Sequence, residues 1–207
     1  MVLGRRELMS IDQEFATIDT LLASEAETRG VDAFALALIK AERQMRKLFT
    51  YILFQSGAFG SSDVEALRNA LADRRIYFRD FISAWNNLYP RPLEDLIGPD
   101  HDRLRPILDE AIRHRNKIFH GQLTTKHLSR GDLIAYIANI RCWCQALAEG
   151  AQMELGYDGF GRNSFRKSVD PSLAGRLITK MYSVEDYKTF LAEMEKRPNK
   201  SLQVSRD

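Results

Sequence analysis

Long apolar runs are missing from this sequence. No stretch approaches the roughly 18 consecutive apolar residues that indicate a transmembrane helix. The first ten residues also have no apolar core of the kind found in a secretory signal peptide. These absences predict a cytoplasmic protein without a membrane segment.

Cysteine is scarce as well, with 2 residues in a chain of 207. Cys142 and Cys144 are two positions apart on a predicted helix, so their side chains point to different faces and cannot bridge each other. They also lack the spacing of a zinc site. We therefore expect thiols that fill the core in a reducing compartment, and neither a disulfide framework nor a metal centre.

The sequence also has no large excess of positive or negative charge. The chain has 30 Lys and Arg residues against 28 Asp and Glu residues, which gives a net charge of +2. This balance excludes nucleic-acid binding by bulk electrostatics and leaves only a local basic patch as a binding surface. Residues 101–130 form such a patch, with seven Lys and Arg residues against three acidic ones.

No sustained strand pattern is present, and apolar residues recur at the helical spacing of three and four, most clearly at 32–55 and 131–154. The sequence predicts an all-α fold in which residues 1–155 form a helical bundle of four to five main helices. Residues 156–207 are predicted to be a C-terminal helical extension. It comprises a basic loop, a short helix from Asp170-Pro171 to about 182, a last helix at 183–197 and a disordered tail.

Histidine is confined to one window, which contains His101, His114, His120 and His127. The segment Arg113-His114-Arg115-Asn116-Lys117-Ile118-Phe119-His120 lies near the end of a predicted helix. We expect that helix to start at 103–106, because Pro106 is tolerated only in a first turn. Imidazole moves protons near neutral pH and guanidinium holds phosphate, so this segment is the candidate site. We expect no chemical role for His101, His114 or His127.

Arg115 has an unusual place on this helix. It falls in the middle of the apolar face, where a guanidinium must be paired with a carboxylate such as Glu42 or must open into a cleft or an interface. Its direction differs from that of His120 by about 140° on a straight helix. Either the helix unwinds near His120 or two copies of the chain share the site across a two-fold axis. A further alternative is that His120 only caps the helix C-terminus.

The segment from Arg115 to His120 resembles the signature of HEPN domains, in which an arginine, often followed by a polar residue, precedes a histidine near the end of a bundle helix. Arg113 also fits the spacing, but Arg115 is preferred because Asn116 follows it and because it interrupts the apolar face. The resemblance covers roughly residues 10–155.

This resemblance implies metal-independent RNA cleavage by a homodimer. Many such proteins are toxins of toxin–antitoxin modules, some paired with a nucleotidyltransferase-type antitoxin, and others are effectors of antiviral defence. Some members of the superfamily are inactive and serve as interaction domains. A non-catalytic helical interaction or nucleotide-binding module is therefore the alternative function.

The candidate residues fit that chemistry. RNA carries its own nucleophile, the 2′-hydroxyl, so we expect neither a metal nor another cofactor. His120 is expected to act as base or acid, Arg115 to hold the developing phosphorane charge, and Asn116 to orient the histidine or the phosphate. Arg113 and Lys117 are expected to bind the RNA backbone.

The C-terminal extension is basic between residues 157 and 182. It carries Arg162, Arg166, Lys167, Arg176 and Lys180 against Asp158 and Asp170. We expect these cations either to be a solvated surface or to extend an RNA-binding surface. The apolar stripe between Val184 and Met194 must pack on its own chain or across a dimer.

Overall fold

The computed structural model describes residues 11–72, 78–121, 128–161 and 170–196. Within these ranges the chain forms helices and no strand, which confirms the predicted all-α class. In chain order the helices are α1 (Ile11–Ala23), α2 (Arg29–Phe54), α3 (Val64–Ala72), α4 (Phe78–Leu88), α5 (Leu93–Ile97), α6 (His101–Phe119), α7 (Arg130–Leu155), α8 (Pro171–Ala174) and α9 (Val184–Lys196). No helix in the described ranges is both long enough and apolar enough to cross a membrane.

Packing divides the chain into two compact units. The first contains the described residues of 11–48 and 91–161, and the second contains those of 49–90 and 170–196. These units differ from the predicted linear division at residue 155, because each of them joins segments that are distant in the sequence. The predicted disordered tail and the cations Arg162, Arg166 and Lys167 lie outside the described residues.

The core of the first unit is built from apolar helix faces. The stripes predicted for α2 and α7 are buried there, as the helical spacing of their apolar residues requires. They consist of Phe34, Leu38, Ala41, Met45 and Leu48 on α2 and of Leu133, Ile137, Ile140, Cys144, Leu147 and Ala151 on α7. α1 is held to α7 by Arg141, whose guanidinium lies 4.9 Å from the ring centroid of Phe15 and bonds to the carboxylate of Asp19.

α5 packs against α7 at a position where only glycine fits. A Cβ atom on Gly150 would lie 1.9 Å from the backbone oxygen of Leu96, well inside van der Waals contact. α6 follows α5 after the short 3₁₀ turn Gly98–Asp100. The close approach at Gly150 therefore helps to set where α6 begins.

The segment after α7 returns to α2. The side-chain amide of Gln44 donates to the backbone oxygens of Cys144 at 2.9 Å and of Asp158 at 3.1 Å. The ammonium of Lys47 donates to the backbone oxygens of Phe160 at 2.6 Å and Gly161 at 2.9 Å. Burial, reinforced by the positive charge of Arg43, lowers the pKa of Lys47. These polar contacts fix residues 157–161 to the first unit.

The second unit has an aromatic core in which α9 packs on α3 and α4. The ring of Phe49 lies 5.6 Å from that of Phe81 and 6.5 Å from that of Tyr187, measured between centroids. Tyr187, Leu191 and Met194 of the predicted stripe are buried. The stripe therefore packs on its own chain, which is one of the two arrangements expected for it.

Two predicted helix boundaries are wrong. α6 begins at His101 and keeps Pro106 in its interior. The backbone oxygen that loses a donor through this proline belongs to Asp102, which is exposed and accessible to water. The short helix after Asp170 ends at Ala174 instead of about 182. Beyond it Leu177 and Met181 are buried four residues apart, a spacing that a helix also has, but the backbone there is not helical.

Candidate functional site at the end of helix α6

α6 ends where His120 meets Gly121. The backbone N–H of His120 donates to Asn116, and that of Gly121 donates to Ile118. Gly121 has φ +64°, a left-handed conformation that glycine adopts without strain. The helix therefore ends at this glycine, and His120 occupies the C-cap position. Its side chain is exposed to solvent beside the last turn of the helix.

Arg115 is engaged in an ion pair with α2. Its guanidinium Nη2 donates to Oε1 of Glu42 at 2.8 Å, and the arginine side chain is 17% exposed. This is the carboxylate partner that the apolar surroundings of Arg115 required. The pair joins α6 to α2.

Arg113, Asn116 and His120 share one exposed side of the α6 C-terminus. All three side chains are exposed. At 100° per residue, Arg113 and His120 differ by about 20° in direction, and Asn116 and His120 differ by about 40°. Arg113 makes no hydrogen bond or ion pair with the residues that the structure describes. We call these three residues the α6 face.

Most other cations of the basic stretch 101–130 are already matched by an acidic or polar partner. Arg103 pairs with Asp100 at 2.7 Å, and Arg105 pairs with Asp109 at 3.0 Å. Arg130 reaches the backbone oxygen of Leu22 at 3.5 Å, and Lys126 lies outside the described residues. The predicted patch is therefore less positive than its composition indicates, because helical neighbours at i−3 and i+4 supply carboxylates.

Lys117 and Phe119 of the predicted segment lie in different environments. Lys117, expected to bind RNA, is partly buried and engaged in a contact of its own. Phe119 is 64% exposed next to His120. A large exposed aromatic ring at this position gives the end of α6 an apolar surface as well as polar groups.

A second cluster, which the sequence analysis did not identify, lies around His114, the residue next to Arg113. His114 is buried with its ring centroid 5.6 Å from that of Tyr136, and its Nε2 lies 3.5 Å from Oε1 of Glu110. Neither ring nitrogen makes a hydrogen bond to the part of the chain that the structure describes. The spacing of Glu110 and His114, four residues apart on one helix, was the available signal.

This cluster borders a cavity of about 290 Å³ between α6 and α7. Glu110, Asp132, Tyr136 and Asn139 supply its polar lining, and Ile107, Leu128 and Ala135 supply its apolar lining. Burial, followed by the hydrogen bond and the negative charge of Glu110, raises the pKa of Tyr136 to about 12. The hydroxyl therefore stays protonated throughout the neutral range.

The remaining histidines do not join the α6 face. His101 lies at the opposite end of α6, where its Nδ1 is 3.0 Å from Asp102 and its ring is 6.0 Å from that of Trp143. His127 is outside the described residues. Within the described ranges, no three His, Cys, Asp or Glu side chains lie close enough together to hold a metal ion.

Comparison with protein-family models, with curated proteins and with solved structures found no match to this chain.

Proposed function

We propose that this chain is a metal-independent endoribonuclease that acts as a homodimer, with its site on the α6 face. The supporting observation is that Arg113, Asn116 and His120 lie exposed on one side of the helix terminus. Together they provide a group that transfers protons, a group that holds an anion and an amide that orients either of them. The resemblance of this segment to HEPN domains supports the same assignment.

The proposed reaction uses the 2′-hydroxyl of RNA. The 2′-oxygen bonds to the adjacent phosphorus while imidazole takes its proton, and the bond from phosphorus to the 5′-oxygen breaks as that oxygen is protonated. The products are a 2′,3′-cyclic phosphate and a 5′-hydroxyl. A guanidinium beside the non-bridging oxygens stabilises the charge that develops on them.

A dimer would supply both proton-transfer groups. The step needs a base and an acid, and each α6 face carries one histidine. A two-fold pair of chains would place two imidazoles and two guanidiniums along one groove. This arrangement would also remove the need for Arg115 and His120 of one chain to face the same point.

Among the arginines, the geometry favours Arg113 as the phosphate-holding group. The sequence preference was for Arg115, but that side chain bonds to Glu42 and is largely buried. We propose that Arg115 acts by positioning α6, and that Lys117 has at most a secondary role in binding RNA. The variant Arg115→Lys separates these roles. If Arg115 positions α6 through its ion pair, lysine can keep that pair and kcat should stay near that of wild type. If Arg115 holds phosphate with two N–H donors, lysine loses that bidentate contact and kcat should fall.

The decisive experiment compares RNA cleavage by wild type, His120→Ala and the matched control His101→Gln. We expect His120→Ala to lower kcat at least about a hundredfold, since removing a general acid or base has effects of that order. Cleavage should persist in a chelator, and the products should carry 2′,3′-cyclic phosphate or its hydrolysis product.

Full activity in His120→Ala, or activity that disappears with the chelator and returns with magnesium, would refute the proposal. In cells, the same pair of variants tests the proposed role as a toxin or defence effector. Induction of wild type should arrest growth, and induction of His120→Ala should not. A co-expressed antitoxin, if one exists, should relieve the arrest.

The alternative of a non-catalytic interaction module is favoured by one observation, the engagement of Arg115 with Glu42. In that case the segment would serve to join helices. Wild-type protein that dimerises, leaves RNA intact and does not slow growth would select this alternative.

A further inference from the structure

Residues 176–182 present an alternating surface in the second unit. Arg176, Ile178, Lys180 and Tyr182 are exposed, whereas Leu177 and Met181 between them are buried. Ile178 is 58% exposed and Tyr182 is 75% exposed, high values for side chains of this size. We call the four outward residues the 176–182 face.

The segment is anchored from behind. The backbone N–H of Ile178 donates to the oxygen of Leu88 at 3.0 Å, and the hydroxyl of Thr179 donates to the oxygen of Asn87 at 2.8 Å. The guanidinium of Arg176 lies 5.0 Å from the ring centroid of Tyr89. With its backbone fixed by these contacts, the face loses little conformational freedom when it binds a ligand.

The face is positive and carries no acidic residue. Lys180 makes no hydrogen bond or ion pair with the described part of the chain. Two carboxylates follow it. Glu185 is neutralised by Lys188 at 3.0 Å, whereas Asp186 accepts the backbone N–H of Tyr182 at 2.9 Å and keeps its negative charge. The exposed cation therefore stands beside exposed apolar surface.

We propose that the 176–182 face binds single-stranded RNA. The exposed ammonium of Lys180 complements a phosphate of the backbone, and the exposed ring of Tyr182 offers a surface on which a base can stack. Ile178 adds apolar contact with a neighbouring base. This inference deepens the proposed function, on which its choice of RNA rests, by giving the substrate class as unpaired RNA, since only unstacked bases reach such a ring.

Binding can be measured apart from cleavage. A labelled oligonucleotide of about twelve residues, 2′-O-methylated throughout, lacks the nucleophile and cannot be cut, although it keeps phosphates and bases. Fluorescence anisotropy of the full-length protein should show Kd raised at least about tenfold in the double variant Lys180→Ala/Tyr182→Ala. Tyr182→Phe keeps the ring and should bind within about twofold of wild type.

The matched control is Arg79→Ala/Met153→Ala, which removes one exposed cation and one exposed apolar side chain outside the 176–182 face. It should bind like wild type. Equal affinity of wild type and Lys180→Ala/Tyr182→Ala would overturn the inference, and so would an equal loss in both double variants. Wild-type binding to anionic phospholipid vesicles without binding to the oligonucleotide would also overturn it and would assign the face to a membrane surface.

A cleavage assay with unmodified RNA distinguishes failure of the 176–182 inference from failure of the proposed function. If wild type binds the methylated oligonucleotide through the face but cleaves no RNA, the 176–182 inference stands and the nuclease proposal fails. If wild type cleaves RNA and the double variant changes neither Kd nor KM, the nuclease proposal stands and the inference fails.

Discussion

The two arginines that flank His114 have different environments, and truncating each should have a different effect on stability. Arg115→Ala removes a largely buried ion pair to Glu42 and should lower the free energy of unfolding by about 1–3 kcal/mol. Arg113→Ala removes a solvated side chain and should change it by less than about 0.5 kcal/mol. Urea unfolding followed by circular dichroism measures both changes. A larger loss of stability for Arg113→Ala than for Arg115→Ala would contradict the environments described for the two side chains.

Tyr136 should make stability depend on alkaline pH. The folded-state pKa of about 12 exceeds the ordinary value of 10.0, so the folded chain holds this proton more tightly than the unfolded chain. The resulting stabilisation is complete below about pH 10 and is lost as pH rises towards 12. Tyr136→Phe should therefore lose less stability than wild type between about pH 8 and pH 11, as measured by urea midpoints. Equal losses in the two proteins would contradict the environment described for this hydroxyl.

The sequence was most informative where a charged residue fell on an otherwise apolar helix face. Arg115 on an apolar face required a partner, and Glu42 was a foreseeable candidate because it lies on another predicted helix. The exposure of Arg113 follows from the same projection, because Arg113 lies about 160° from Arg115 and so opposite the apolar face. The cluster of His114, Glu110 and Tyr136 needs the register between α6 and α7, which sequence periodicity does not contain.

At the scale of helices, Gly150 should be the most sensitive glycine of α7. Gly150→Ala places a Cβ atom against backbone atoms of Leu96 that cannot rotate away, so α5 and α7 must separate. We expect a loss of roughly 2–4 kcal/mol in the free energy of unfolding. Gly131→Ala is the control in the same helix. Its Cβ would meet only the Ser129 hydroxyl at 3.6 Å, and alanine should be neutral or stabilising there. Similar unfolding curves for both variants would contradict the close approach of α5 and α7 at Gly150.

Helix existence was predictable and helix boundaries were less so. Helices α2 and α7 could be predicted because the three- and four-residue spacing of their apolar residues persists through many turns. The start of α6 was missed because the penalty for Pro106 depends on whether the unpaired carbonyl reaches water. The end of α8 was missed because Leu173, Leu177 and Met181 recur every four residues, so the apolar spacing of a helix continues after the helix has ended.

For the whole molecule, the proposed function requires two chains. Sedimentation velocity at micromolar concentration should show a dimer, and Phe119→Asp should shift it towards monomer because a charge would be buried beside the partner. Met153→Asp, at an exposed methionine on α7, serves as the control and should leave the dimer intact. Wild type that sediments only as monomer would contradict the shared site.

The hydrogen bonds of Gln44 have a consequence for synthesis of the chain. Its two acceptors belong to residues 100 and 114 positions later, so α2 leaves the ribosome long before the backbone that completes its surroundings exists. At about 5–20 residues per second, the delay is roughly 5–20 s. During that time a buried amide and the apolar stripe beside it have no native partner. Nascent chains that stop before residue 144 should therefore depend on chaperones for solubility, and those that extend past residue 161 should not.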